Sequence, residues 1–97
     1  MSVEWRARAH EDRIKLFDYI AAHNPGAAIA FDDSIEALTR ALPSHPELYR
    51  LGRVKGTREM VLGSGYVLIY RVLRTNLIEI VRIMGARQHY PGRPWKK

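Results

Sequence analysis

Cysteine is absent from this 97-residue sequence. Its absence excludes disulfide bonds and thiolate chemistry and agrees with a reducing compartment. Long apolar runs are also missing, and no stretch approaches the roughly 20 apolar residues that a membrane-spanning helix needs. The start of the chain, Met1–Trp5, lacks the basic and apolar regions of a signal peptide. These absences predict a cytoplasmic protein without a membrane segment.

Acidic residues are scarce in one half of the chain only. Residues 48–97 contain eleven basic side chains against Glu59 and Glu79, a net charge of +9, whereas residues 1–47 contain five basic against eight acidic, a net charge of −3. The formal total is +6. A basic half of this kind is typical of proteins that contact nucleic acid or another strongly anionic partner.

Two amphipathic helices are predicted in the first half. Ile14, Phe17 and Ile20 share one helical face between residues 10 and 22, and a second stripe with 3-4-3-4 spacing runs from Ala28 to Leu42. Asn24 and Pro25 between them suit the N-cap and first position of the second helix. The short connection predicts an antiparallel helical hairpin.

Strands are predicted around this hairpin. Residues 3–6 alternate like a short first strand, and residues 58–62, 66–73 and 77–84 form two successive hairpins with short turns. Both faces of residues 66–70 are apolar, which places that strand inside the sheet. The order β-α-α-β-β-β predicts an α+β fold with an antiparallel sheet packed on the helical hairpin. We expect one domain over residues 1–91 and a basic tail over residues 92–97.

Three segments carry a resemblance to a known family. Asn24–Ala28 joins the two helices, and Gly52–Val61 (GRVKGTREMV) is similar to the G-R-x-x-G-T-R-E-L-V stretch of many RelE/ParE-superfamily toxins. Gly65–Val72 follows like the central strand of that family. The element order also matches. The chain therefore resembles a RelE/ParE-type toxin of a type II toxin–antitoxin system from Val3 to Pro91.

The resemblance implies a partner and two alternative activities. The partner would be an acidic antitoxin that neutralises the toxin and forms a hetero-oligomer with it on operator DNA. RelE-like members cut mRNA on the ribosome without a metal or cofactor, whereas ParE-like members inhibit DNA gyrase and are not nucleases. Because one fold carries both activities, the site must decide between them.

Metal-free RNA cleavage needs cations for the phosphorane charge and groups that move protons. Arg87-Gln88-His89-Tyr90 is similar to the R-x-H-Y ending of YoeB-type nucleases. The resemblance implies the catalytic set Arg58, Arg87, His89 and Tyr90, with Arg53, Lys55 and Arg71 as RNA- or phosphate-binding residues. No histidine has metal-ligand spacing, so no metal site is predicted.

One position departs from the nuclease pattern. Val67 stands where RelE-like nucleases carry an arginine on the central strand. This favours a gyrase inhibitor, or a degenerate member that only binds its antitoxin, whereas the R-x-H-Y ending favours an mRNA endoribonuclease. The sequence alone puts the endoribonuclease first and leaves both alternatives open.

Overall fold

A computed structural model describes residues 2–74 and 77–87. Its helices and strands, in chain order, are β1 (Ser2–Trp5), α1 (Ala7–Ala21), α2 (Pro25–Ala41), β2 (Arg50–Leu51), β3 (Arg58–Val61), β4 (Tyr66–Arg74) and β5 (Leu77–Gly85). Single 3₁₀ turns at Leu42–Ser44 and Gly63–Gly65 follow α2 and β3. The α+β fold predicted from the sequence is confirmed.

The helical hairpin forms for the reasons that the sequence indicates. The Asn24 side chain accepts a hydrogen bond from the Ala27 backbone N–H at 3.1 Å, and Pro25 occupies the first turn of α2. This cap satisfies one of the backbone donors that a helix N-terminus leaves unpaired. The first helix begins at Ala7, three positions before the apolar periodicity becomes visible.

The five strands lie in the order β1-β5-β4-β3-β2. The apolar strand β4 is at the centre, as its two apolar faces predict, and pairs antiparallel with β3 and β5. Leu68 and Tyr70 face the helices, while Val67 and Ile69 face away from them. We call the side of the sheet without helices the far face.

Two details of the sheet differ from the prediction. It is mixed rather than wholly antiparallel, because β1 pairs in parallel with β5, with Ser2 opposite Leu77 and Trp5 opposite Ile80. A fifth strand, β2, lies between α2 and β3, where the sequence pattern predicts no strand, and pairs with the start of β3. The alternation within a strand does not specify its neighbour or its direction, so the sequence pattern could not reveal either pairing.

The main core lies between the hairpin and the sheet. Its largest buried members are Tyr70, Ile35, Leu42, Met60, Leu68, Ile78 and Ile80. A smaller cluster on the far face, formed by Val67, Ile69, Val81 and Met84, is also buried. We call it the far-face cluster. The sheet is therefore apolar on both sides of its central strand.

An ion pair attaches α1 to an irregular point of β5. Ile69 is opposite Arg82 and Tyr70 is opposite Ile80, so the register shifts by one residue there. The Asp12 carboxylate accepts hydrogen bonds from Arg82 Nε at 2.8 Å, Arg82 Nη2 at 3.1 Å and the Ile83 backbone N–H at 3.0 Å. The helix thereby fixes the shifted register.

Neither α1 nor α2, the two helices of the described ranges, has the length and hydropathy to span a membrane. The predicted tail, residues 92–97, lies outside the described residues, as do His89 and Tyr90. The predicted boundary at residue 91 stays a prediction.

Replacing Asp12 with alanine should lower the free energy of unfolding by about 3 kcal/mol. The change removes the ion pair of Arg82 with Asp12 and the carboxylate acceptor of the Ile83 N–H, in a site where the two side chains are only 12–16% exposed. Urea denaturation of the two proteins at pH 7 measures the difference. The matched control is Asp33→Ala at an exposed position of α2, which should change stability by less than about 0.5 kcal/mol. Equal effects of the two substitutions would contradict the assigned role of Asp12.

Candidate functional site

The residues predicted to bind RNA or phosphate are divided between the two faces of the sheet. Arg58 is opposite Tyr70 and so lies on the helix face, whereas Glu59 is opposite Ile69 and lies on the far face. Arg71 follows Tyr70 on β4 and therefore lies on the far face. Arg58 and Arg71 therefore do not share one phosphate-binding centre.

A buried carboxylate organises the near part of the far face. Glu59 is 4% exposed, and its oxygens accept hydrogen bonds from Arg53 Nε at 2.7 Å, Arg53 Nη2 at 3.1 Å and Arg50 Nη2 at 3.1 Å. The Arg53 backbone N–H donates to the same carboxylate at 3.1 Å. The fork of Arg53 thus meets Glu59 in the bidentate geometry that gives the strongest ion pairs.

These hydrogen bonds hold the pKa of Glu59 at about 2, below its ordinary 4.5, with the Arg53 side chain as the largest cause. Burial alone would raise that pKa. The carboxylate is therefore ionised throughout the physiological range. Moving Arg53 onto a phosphate would leave a buried charge with Arg50 as its remaining side-chain partner, which is costly.

Arg53 also contacts the end of the last strand. Its Nη2 donates to the Ala86 carbonyl oxygen at 3.3 Å, and Ala86 packs against the far-face cluster. The Ala86 N–H donates to the Gly65 carbonyl oxygen at 2.8 Å. The chain after β5 thus lies over the far face, and Arg53 contacts the residue that precedes Arg87.

The glycine-rich motif before β3 has a structural explanation. The Gly52 N–H donates to the Thr57 carbonyl oxygen at 2.8 Å, and the Thr57 N–H donates to the Val54 carbonyl oxygen at 3.1 Å. A side chain at Gly52 would collide with Thr57, and Gly56 has a positive φ of 86°. The motif therefore encodes a tight loop over residues 52–57, which places Arg53 beside Glu59.

Arg58 anchors a different loop. Its Nη1 donates to the Tyr49 carbonyl oxygen at 2.8 Å and to that of Glu47 at 3.3 Å. The buried Tyr70 hydroxyl donates to the Pro46 carbonyl oxygen at 2.6 Å. Two side chains of the sheet thus hold the segment between α2 and β2, and Arg58 has a structural role that its sequence position did not reveal.

Arg71 is paired as well. Its Nε is 2.7 Å from Glu79 Oε1 on the neighbouring strand, directly opposite in the register. Arg6 lies 3.7 Å from the other oxygen of Glu79. This cross-strand pair gives no sign of a phosphate site.

Two members of the predicted set keep their charges free. Lys55 in the tight loop and Arg87 after β5 are exposed, and within residues 2–74 and 77–87 neither has an ion-pair or hydrogen-bond partner. His89 and Tyr90, the remaining predicted catalytic residues, are outside the described ranges. No group of three His, Asp or Glu side chains in the described part of the chain is arranged to hold a metal.

A separate apolar groove runs along the helical hairpin. It has a volume of about 630 Å³ and is lined by Tyr19, Ile20, Ala27, Ala30, Phe31, Ser34 and Tyr66. Small side chains of α2 form one side, and the Phe31 and Tyr66 rings meet edge-on at 6.1 Å. Tyr19 is 64% exposed. Such a surface suits the apolar face of a partner helix.

The comparisons agree with this architecture. The family model described as "ParE toxin of type II toxin-antitoxin system, parDE" matches residues 3–90. The chain belongs to the ParE toxin family. A relative in Sinorhizobium fredii, named "Putative toxin Y4kP", is 34% identical over 90 residues, which cover 92% of each protein. A solved structure from P. aeruginosa, described as a chromosomal ParDE toxin–antitoxin system, has the same fold with a TM-score of 0.77 and 23% identity. The match covers 90% of this chain and 97% of that chain.

In this ParE-family toxin the central-strand position of the nuclease arginine is part of the core. Val67 is fully buried in the far-face cluster, opposite Val61 and Met84. The family match confirms the predicted toxin identity. The predicted catalytic set stays a prediction, because His89 and Tyr90 lie outside the described residues. Sequence reasoning missed Arg50 and the central role of Glu59, because both depend on strand pairing rather than on spacing along the chain.

The ParE-family toxin should lose stability in acid through Glu59. The depressed pKa of Glu59 contributes roughly 3 kcal/mol to the free energy of unfolding. This contribution is fully present above pH 4.5 and is lost as the pH falls from 4.5 toward 2. Glu59→Gln should remove this contribution, so the stability gap between the two proteins should narrow from roughly 3 kcal/mol at pH 7 to about half that at pH 3. Urea denaturation at several pH values tests this. A gap that does not depend on pH would contradict it.

Proposed function

We propose that this type II toxin inhibits DNA gyrase in the cytoplasm and is neutralised by a cognate acidic antitoxin. The observation that carries the proposal is the internal pairing of two of the cations predicted to bind RNA, together with the apolar residue at position 67. Arg53 is bound to Glu59, Arg71 is bound to Glu79, and Val67 replaces a third cation with a buried apolar side chain. Membership in the ParE family supports the same reading.

Cleavage of RNA by its own 2′-hydroxyl depends on cations that meet the developing phosphorane charge. An arginine already bound to a carboxylate is poorly placed to grip a phosphate, because its donors are occupied and its geometry is fixed. The far face also has an apolar, filled centre between Val67 and Met84. In the described part of the chain, apolar side chains occupy the position where a nuclease would need a cation for the scissile phosphate.

The remaining free cations are placed for surface contact rather than for chemistry. Lys55 and Arg87 are exposed, and Arg87 directly follows Ala86, which packs against the far-face cluster. Exposed cations of this kind steer a protein toward an anionic surface and give binding that weakens as salt rises. We assign to them the contact with the gyrase–DNA complex.

A ribosome-dependent mRNA endoribonuclease is the second candidate. Arg87 favours it, because this exposed arginine follows β5 where RelE-like nucleases place a phosphate contact. His89 and Tyr90 would then serve as its proton-transfer groups. The two functions differ in the target that responds first when the toxin is induced.

Induction of the toxin should stop gyrase-dependent supercoiling while the ends of ribosome-bound mRNA remain unchanged. Arg87→Ala and Lys55→Ala should each raise the toxin concentration for half-inhibition about tenfold, because each removes an exposed charge from the contact. Arg74→Ala, an exposed arginine at the other end of β4, is the matched control and should change it less than twofold. Fresh cuts in A-site codons with normal supercoiling, abolished by His89→Ala, would instead establish the nuclease.

For the antitoxin we propose the hairpin groove as a docking surface. The groove lies on the helix side of the sheet, the side opposite the far-face cluster, and Tyr19 and Phe31 are among its lining residues. Aromatic side chains that are exposed in the free protein and covered in the complex often carry much of the binding energy. An amphipathic antitoxin helix would cover this apolar area.

Tyr19→Ala should weaken antitoxin binding at least tenfold without lowering the stability of the free toxin. The ring is mostly exposed before binding, so its loss removes contact area in the complex alone. Isothermal titration calorimetry with the purified antitoxin provides the affinity. Ile29→Ala, an exposed apolar residue of α2 outside the groove lining, is the control and should leave the affinity within twofold. Equal losses for the two variants would place the antitoxin elsewhere.

A further inference from the structure

One arginine side chain joins two segments that are 33 residues apart in the sequence. Arg53 belongs to the tight loop of residues 52–57, and its Nη2 donates to the carbonyl oxygen of Ala86 after β5. The same nitrogen donates to Glu59 Oε1 at 3.1 Å. Glu59 and Ala86 therefore share the Nη2 hydrogens of one guanidinium.

Glu59 determines the direction of this guanidinium. Arg53 Nε and Nη2 grip the two carboxylate oxygens, and the Arg53 backbone N–H donates to the same group. The backbone and the side chain of Arg53 are thus both held by one carboxylate, which belongs to a residue of strand β3. A lysine at this position would keep the charge but lose the planar fork that serves two acceptors at once.

The backbone of Ala86 is held at both of its polar groups. Its N–H donates to the Gly65 carbonyl oxygen at 2.8 Å, its carbonyl accepts from Arg53, and its methyl group packs on the far-face cluster. The next residue is the exposed Arg87. The position from which Arg87 projects therefore depends on a contact that is made by Arg53.

We propose that Arg53 is a positioning residue: held by Glu59, it fixes Ala86 over the far face and thereby presents Arg87 to the target of the toxin. This inference rests on the proposed function in one respect, the assignment of Arg87 to the target contact. It replaces the prediction that Arg53 itself binds phosphate. Arg53 acts through Arg87, so its effect on toxicity requires Arg87.

The first test measures the turn directly in the free toxin. Amide hydrogen exchange followed by NMR should show that Arg53→Ala accelerates exchange at Ala86 at least tenfold relative to the amide of Leu68 in the central strand. Arg50→Ala is the matched control, because Arg50 also pairs with Glu59, whereas the hydrogen bond to the Ala86 carbonyl comes from Arg53. It should change this ratio less than threefold. An unchanged ratio in Arg53→Ala would overturn the proposal. Since no target is present, this result is independent of whether gyrase is inhibited.

The second test is a double-mutant cycle on growth arrest, read as the toxin dose that halves the growth rate. Arg53→Ala and Arg87→Ala should each raise that dose about tenfold, and the double variant should need no more than threefold above either single variant, because both remove the same contact. The proposal would be overturned if the dose increases of the two single variants multiplied in the double variant, or if Arg87→Ala remained fully toxic. Failure of the gyrase assignment would appear separately, as normal supercoiling during growth arrest.

Arg53→Lys separates positioning from stability. Lysine should retain an ion pair with Glu59, and hence most of the thermal stability, but should not hold Glu59 and Ala86 together. We expect its melting temperature to approach that of the wild type while its toxicity and Ala86 exchange resemble those of Arg53→Ala. Toxicity that returns together with stability would assign Arg53 a purely structural role.

Discussion

Glu59 carries a carboxylate on a strand whose neighbours leave it almost without contact with water. A charge in that position persists only when several donors surround it. The loop of residues 52–57 supplies most of them from Arg53, and Arg50 on the edge strand supplies another. The tight loop and the edge strand β2 both donate hydrogen bonds to this carboxylate, and the segment after β5 is attached to it through Arg53. One buried charge therefore connects three segments of the far face.

The same requirement explains why net charge is a poor guide to the active surface. The second half of the chain has eleven basic residues and two acidic ones, yet those two, Glu59 and Glu79, engage Arg50, Arg53 and Arg71. Arg58 donates hydrogen bonds to backbone carbonyls, and Arg82 forms an ion pair with Asp12 of α1. Much of the basic half thus serves the fold, and the charge that can reach a partner is concentrated in fewer side chains.

The parts of the fold that could be predicted are those that local chemistry determines. Helical spacing, the Asn24 cap and the two apolar faces of β4 each specify an element or its place without reference to distant residues. The parallel pairing of β1, the short β2 and the partners of Arg53 and Arg58 depend on register between strands that are far apart in the sequence. The family and its fold were therefore accessible from the sequence, whereas the roles of individual arginines were not.

Position 67 shows how one fold supports two activities. A cation at the centre of the far face would need water or a phosphate beside it, because an unpaired buried charge is costly. The neighbouring side chains would then have to leave that position accessible to solvent. Valine at that position packs with Ile69, Val81 and Met84, and the closed cluster provides the surface on which Ala86 lies. Filling the centre with apolar side chains both removes a catalytic cation and creates a support for the segment that carries Arg87. In this chain the closed cluster thus leaves an exposed charge, Arg87, at the end of a backbone segment that is held by Arg53 and by the Gly65 carbonyl.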